Sequence, residues 1–246
     1  MTRALSPGTD YTYEVIATTS TASSPASSST DTTTFPDKLS GLTAAADSSS
    51  QVTLGWTPVT GATGYEIDRQ DSSGNWEIYD AVDDGSATGY TDTDVQDGTT
   101  YTYRVLPYND SGTSDDGSAP TAAATTPLIA PANVNVVALS PTSIEVVWDD
   151  QSSSETGFEV QRSGNGGSTY TDLGSTAAGV TDYVDSTALP QTTYYYRVEA
   201  TNTAAGPSTP GSVPELTTTP AAVPVLTDNP QLTAAALTSN FRGKVF

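Results

Sequence analysis

The chain has 246 residues, with 29 acidic and 8 basic side chains, a net charge of −21, and neither cysteine nor histidine. Without cysteine there is no disulfide, thiol nucleophile or thiolate ligand, and without histidine there is no Ser-His-Asp triad. The acid excess repels phosphate backbones, so no nucleic-acid partner is expected. No apolar run approaches the roughly 18 residues of a membrane span, so no membrane insertion is expected either.

Thr, Tyr and Val are abundant and favour a pleated, half-buried surface, while Gly and Pro recur between the apolar runs. The expected class is all-β. Residues 1–36 open without the apolar stretch of a signal peptide, which places any secretion signal outside this chain. They contain a turn and an alternating run, Leu5-Ser6-Pro7-Gly8-Thr9-Asp10-Tyr11-Thr12-Tyr13-Glu14-Val15. A Ser/Thr/Ala loop and a polar run ending at Phe35-Pro36 follow. That predicts a single hairpin, which is marginal in water by itself. Its uncovered face would pack on the next unit, pair with a second chain or stay disordered.

Residues 37–127 read as a complete unit of about seven short strands. The runs are Val52–Trp56, Gly64–Arg69, Trp76–Tyr79, Gly89–Asp92 and Asp97–Val105, with a last polar strand ending at Thr126-Pro127. Residues 128–220 repeat the order: Ile144–Trp148, Gly157–Arg162, Thr181–Asp185, Leu189–Val198 and Leu216–Pro220. Trp56 and Trp148 are 92 apart, and Arg69 and Arg162 are 93 apart. That period is too long for a solenoid repeat and is the size of a domain. Residues 221–246 leave the pattern and read as a linker or the start of another region, with Gln231–Lys244 unassigned.

Taken together these motifs resemble fibronectin type III domains. The set comprises a Trp closing the second strand (Trp56, Trp148), Gly-Tyr/Phe-x-Ile/Val-x-Arg on the third, a Tyr-x-Tyr-Arg-Val strand behind a turn, and a Thr-Pro end. The resemblance implies tandem seven-stranded immunoglobulin-like β-sandwiches, strands A, B and E facing G, F, C and C′, with residues 1–36 keeping only F and G. The first Tyr of each copy (Tyr11, Tyr101, Tyr194) should turn inward as a tyrosine corner, its OH meeting a backbone group a few residues upstream. Gly98 should supply the tight turn before it. In the third copy the step from Leu189 to Tyr194 is shorter than that from Leu5 to Tyr11, which leaves its corner turn unassigned. Trp56 and Trp148 should lie between the sheets.

Several motifs bear on chemistry. Asp92–Gly98 fails as a calcium loop, because Asp97 stands where the invariant glycine belongs and Gly98 comes one place late. It reads instead as a strand entering the corner turn. Asp80, Asp83 and Asp84, and Asp110, Asp115 and Asp116, read as solvated acidic loops. Trp76 and Tyr79 offer either a flat platform for a sugar or aromatics packed on the sheet, and Tyr170 takes the matching place in the second unit. Arg104 and Arg197 are expected to face solvent and pair across the sheet with Glu66 or Asp68, and with Glu159. Asn109-Asp110-Ser111 is a formal glycosylation sequon, and Arg242-Gly243-Lys244 is not an integrin motif. No catalytic, cofactor or metal residues are assigned. The partner is an unknown protein or glycan, and the resemblance implies a spacer or adhesion array of an extracellular or cell-surface protein. Because related domains are attached to polysaccharide-degrading enzymes, it implies an accessory carbohydrate-binding region as the alternative.

Overall fold

The computed structural model describes residues 4–114, 116–211 and 215–221. Asp115 and the region from Ala222 onward, which includes Gln231–Lys244 and Arg242-Gly243-Lys244, lie outside the described residues. The N-terminal hairpin forms as expected: β1 (Asp10–Tyr13) pairs antiparallel with β2 (Thr30–Thr33), Tyr11 opposite Thr32.

The first sandwich has a three-stranded sheet of β3 (Thr43–Ser48), β4 (Gln51–Gly55) and β7 (Gly89–Asp92), in the order β3-β4-β7. It faces β5 (Gly64–Gln70), β6 (Trp76–Val82), β8 (Thr100–Asn109) and β10 (Thr121–Thr125), ordered β10-β8-β5-β6, with the short β9 (Gly112–Thr113) also paired to β8. These strands pair antiparallel. The second sandwich repeats this. β11 (Ala132–Ser140), β12 (Ser143–Asp149) and β15 (Asp182–Asp185) form one sheet. β13 (Gly157–Ser163), β14 (Thr171–Ala177) and β16 (Thr193–Asn202) form the other, with β17 (Gly206–Pro207) and β18 (Glu215–Thr218) both paired to β16.

Strand alternation explains the two cores. In β4, Val52 and Leu54 are fully buried, and Ile67 in β5 and Val105 in β8 meet them from the other sheet. Ile144, Val146, Val160 and Val198 do the same in the second sandwich. Each such side chain contributes about 1.5–3 kcal/mol of burial. Trp56 and Trp148 lie inside, 6% and 4% exposed, with ring centroids 5.2 Å from Tyr65 and 5.3 Å from Phe158.

The hairpin lacks such a cover. Tyr13 and Val15 are 45% and 73% exposed, whereas their counterparts Tyr103 and Val105, and Tyr196 and Val198, are fully buried.

Candidate functional site

The tyrosine corner forms three times. The backbone N–H five residues upstream donates to the phenol oxygen: Ser6 to Tyr11 at 2.7 Å, Gln96 to Tyr101 at 2.8 Å, Leu189 to Tyr194 at 3.2 Å. A threonine just past the last strand ties each corner from the other side. The hydroxyls of Thr34, Thr126 and Thr219 donate to the carbonyls of Ser6, Gln96 and Leu189 at 2.7, 2.6 and 2.6 Å. The third corner is therefore not shorter than the others. Ala188, only 2% exposed, takes the place of Leu5 and Val95, and Gln191 takes the place of Gly8 and Gly98. Gln191 adopts φ +55°, beside +56° at Gly8 and +59° at Gly98.

Sequence reasoning missed a buried carboxylate behind the second and third corners. Asp92, fully buried at the end of β7, accepts hydrogen bonds from Arg69 Nη1 (2.7 Å), Tyr103 OH (2.8 Å), Tyr79 OH (2.9 Å) and the Asp94 N–H (2.9 Å). Asp185 accepts from Arg162 Nη1 (2.7 Å), Tyr196 OH (2.7 Å), and the Thr187 hydroxyl and N–H. Burial pushes both carboxyls up, but the tyrosine and further hydrogen bonds outweigh it and hold them below the usual carboxylate range. Burial and then the hydrogen bond to Asp92 push the Tyr79 phenol up to about 12. Pairs Arg69/Arg162 and Asp92/Asp185 recur at one interval of 93 residues, which was the available signal.

The outer face of the four-stranded sheet corrects one expectation. Arg104 Nε donates to Asp68 at 2.6 Å, and the Asp68 carboxylate is buried under the Arg104 side chain, itself only 15% exposed. The guanidinium lies 4.8 Å from the Trp76 ring, which covers it. In the second sandwich Arg197 donates to Gln161 Oε1 at 2.5 Å, approaches Glu199 at 3.6 Å and lies 4.4 Å from the Tyr170 ring. It thus pairs with Gln161 and Glu199 in place of the expected Glu159. Burial and the neighbouring Asp172 carboxylate raise the Glu159 pKa above its ordinary value.

Trp76 and Tyr79 do not form one platform. Trp76 shares the outer face with Arg104, whereas Tyr79 lies 3.9 Å from the Arg69 guanidinium and bonds Asp92 at the edge between the sheets. The β6 bulge, between Ile67/Asp80 and Asp68/Ile78, lets the two rings part. The acids at the end of β6 and in the loop after it accept from hydroxyls and a backbone N–H: Asp80 from Tyr90 OH, Asp83 from Tyr108 OH and Asp84 from Ser86. Among the described residues no group of three acidic side chains is placed to hold a metal ion.

The remaining polar constellations lie where one unit meets the next. Asn109, 8% exposed at the end of β8, donates through Nδ2 to Thr34 O (2.9 Å) in the hairpin and Gly61 O (3.3 Å) in its own sandwich. Ser111 Oγ donates to Thr33 O at 2.6 Å. The sequon nitrogen is thus committed to the junction. Asn202, 93 residues on, donates to Gly98 O (2.9 Å) and Ser154 O (3.0 Å). Here Asp97, 3% exposed, adds a further tie: it accepts from Ser152 Oγ (2.5 Å), Ser153 Oγ (2.7 Å), Ser153 N (3.2 Å) and Ile129 N (3.3 Å). Burial pushes its carboxyl up, and the serine hydrogen bonds outweigh that and hold it below its ordinary value.

Comparison with known proteins agrees with this geometry. Residues 37–124 match the family model of the fibronectin type III domain. The two-domain fibronectin type III segment of chicken tenascin superposes with a TM-score of 0.61 at 17% identity, covering 75% of this chain and 99% of that one. A Kelch domain-containing protein of Saccharolobus solfataricus is 38% identical over 84 residues, which is 34% of this chain. The match spans 11% of that relative's length.

Proposed function

Because the chain carries tandem fibronectin type III sandwiches, we propose that it is a non-catalytic spacer and adhesion section of a larger secreted or cell-surface protein. The observation that carries this reading is the repeated junction. Asn109 and Asn202 each bridge their own sandwich to the preceding unit, and Asp97 adds four hydrogen bonds at the second joint. Directed bonds across a joint fix the spacing and angle of its two sides, which is what a spacer needs. Among the described residues no helix is long and apolar enough to cross a membrane.

In this reading residues 37–127 and 128–220 are complete domains and 221–246 a linker or the start of a further region. Residues 1–36 are the last two strands of a domain whose other strands are supplied upstream. The exposure of Tyr13 and Val15, at positions buried in both other copies, supports that assignment.

An accessory carbohydrate-binding role needs an open aromatic surface. Trp76 is instead half-buried on Arg104 and faces away from Tyr79. Affinity electrophoresis on soluble and insoluble glycans separates the two readings. The spacer reading expects no retention on any glycan. Retention that disappears in Trp76→Ala would replace it with the carbohydrate-binding one.

A further inference from the structure

A glycine at φ near +57° looks like a plain turn requirement, since L side chains are disfavoured there. Gln191 shows that this requirement is not absolute: it holds the same corner at φ +55° with its hydrogen bonds in place. Something besides φ therefore bears on Gly8 and Gly98. At Gly98 an added Cβ would lie 2.5 Å from Asn202 Nδ2, 2.6 Å from Leu128 Cδ2 and 3.1 Å from Ser154 Cβ, all in the following sandwich or its entry. At Gly8 it would lie 2.6 Å from Gly61 Cα and 2.9 Å from Thr60 O. Gly61 and Ser154 occupy matching places, 93 residues apart, and each supplies the own-sandwich acceptor for Asn109 or Asn202. The upstream acceptor differs, Thr34 O at the first junction and Gly98 O at the second. Crowding against the next unit's head is common to both, from backbone atoms at Gly8 and from side chains at Gly98, whereas Gln191 is exposed.

We propose that the glycine of the corner turn is a docking surface for the head of the following fibronectin type III domain, and that the third corner, with Gln191 in that place, cannot seat a following domain in the same pose. The glycine leaves out the Cβ that would meet the next unit, its backbone at Gly8 and its side chains at Gly98. The described residues then hold two close joints, at Gly8 and at Gly98. This inference rests on the junction geometry and is independent of what the array is for.

The native chain has no cysteine, so paired spin labels can be placed without background. Ser73→Cys and Ala178→Cys put one label on an exposed turn of each sandwich. Pulsed dipolar spectroscopy on the full chain should give a single narrow distance distribution. Gly98→Ala and Gly98→Gln should each broaden it while both sandwiches keep cooperative melting. Asn202→Ala, which removes the bond to Gly98 O but leaves the glycine in place, should broaden it too, and Gln191→Gly should leave it unchanged. A narrow, unshifted distribution in folded Gly98→Gln would overturn the proposal. So would a native distribution already as broad as the variants'. Loss of fold in both Gly98 variants would also overturn it, because the corner would then need glycine for itself.

Discussion

The buried carboxylate of the first sandwich gives the sharpest energetic prediction. Asp92 is fully buried and takes four hydrogen bonds, one from a guanidinium and two from phenols. Asp92→Ala leaves the Tyr103 hydroxyl without an acceptor in the core, a cost of about 1–3 kcal/mol. It also strips Arg69 of its carboxylate while the Asp94 carbonyl, at 3.0 Å, remains. Breaking one side of a buried pair costs about 3–5 kcal/mol, against about 0.2–1 for an exposed pair. The substitution should therefore destabilise the first sandwich by about 3–5 kcal/mol, with the second unaffected. Urea unfolding followed by fluorescence can see this, because Trp56 and Trp76 report on the first sandwich and Trp148 on the second. The expected record is two transitions, with the first moved to lower urea. Asp92→Asn keeps an acceptor and should cost less. A loss below about 1 kcal/mol for Asp92→Ala would put the pair in the exposed class and refute the reasoning.

The same carboxylates set the acid response. Asp92 and Asp185 titrate below their ordinary value in the fold, so their contribution is full above the unfolded pKa of about 3.9 and is lost as pH falls through the folded one. Melting temperature should hold from neutral pH to about 4 and then drop, and a flat profile down to pH 2 would contradict the assignment. Trp148→Ala should cost the second sandwich about 3–5 kcal/mol by circular dichroism, and an unchanged transition would contradict the core placement. Val15→Ser, at a position 73% exposed, should shift neither sandwich by more than about 0.5 kcal/mol; a larger loss would mean that the hairpin face is covered. Asn109→Ala removes the bond to Thr34 O and should speed limited proteolysis within residues 1–36, whereas an unchanged cleavage rate would mean that this bond does not hold the hairpin.

The architecture was legible because it rests on side-chain alternation. Tyr-x-Tyr-x-Val places three residues on one face, and Tyr103, Val105, Tyr196 and Val198 are buried as that pattern demands. The Trp positions followed from the same logic. Asp92 and Asp185 were not legible as core groups, because an Asp at the end of a strand is normally solvated and its partners arrive from other strands, three for Asp92 and two for Asp185. Arg104 looked exposed because it alternates with inward residues, but outward on a sheet is not the same as solvated when Trp76 lies over it. The third corner was misjudged by anchoring on Leu189, when the buried position belonged to the smaller Ala188. The junctions depend on which loops meet end to end, which no local pattern encodes. Only the recurrence of Asn109 at Asn202, and of Gly8 at Gly98 but not at Gln191, carries a trace of them.

The most direct test of a head-to-tail array with fixed joints is backbone 15N relaxation on the full chain. If Asp97 and Asn202 fasten the second joint, residues 37–127 and 128–220 tumble together and share one rotational diffusion tensor. Two separate tensors, each that of an isolated sandwich, would contradict the fixed joint and with it the spacer reading.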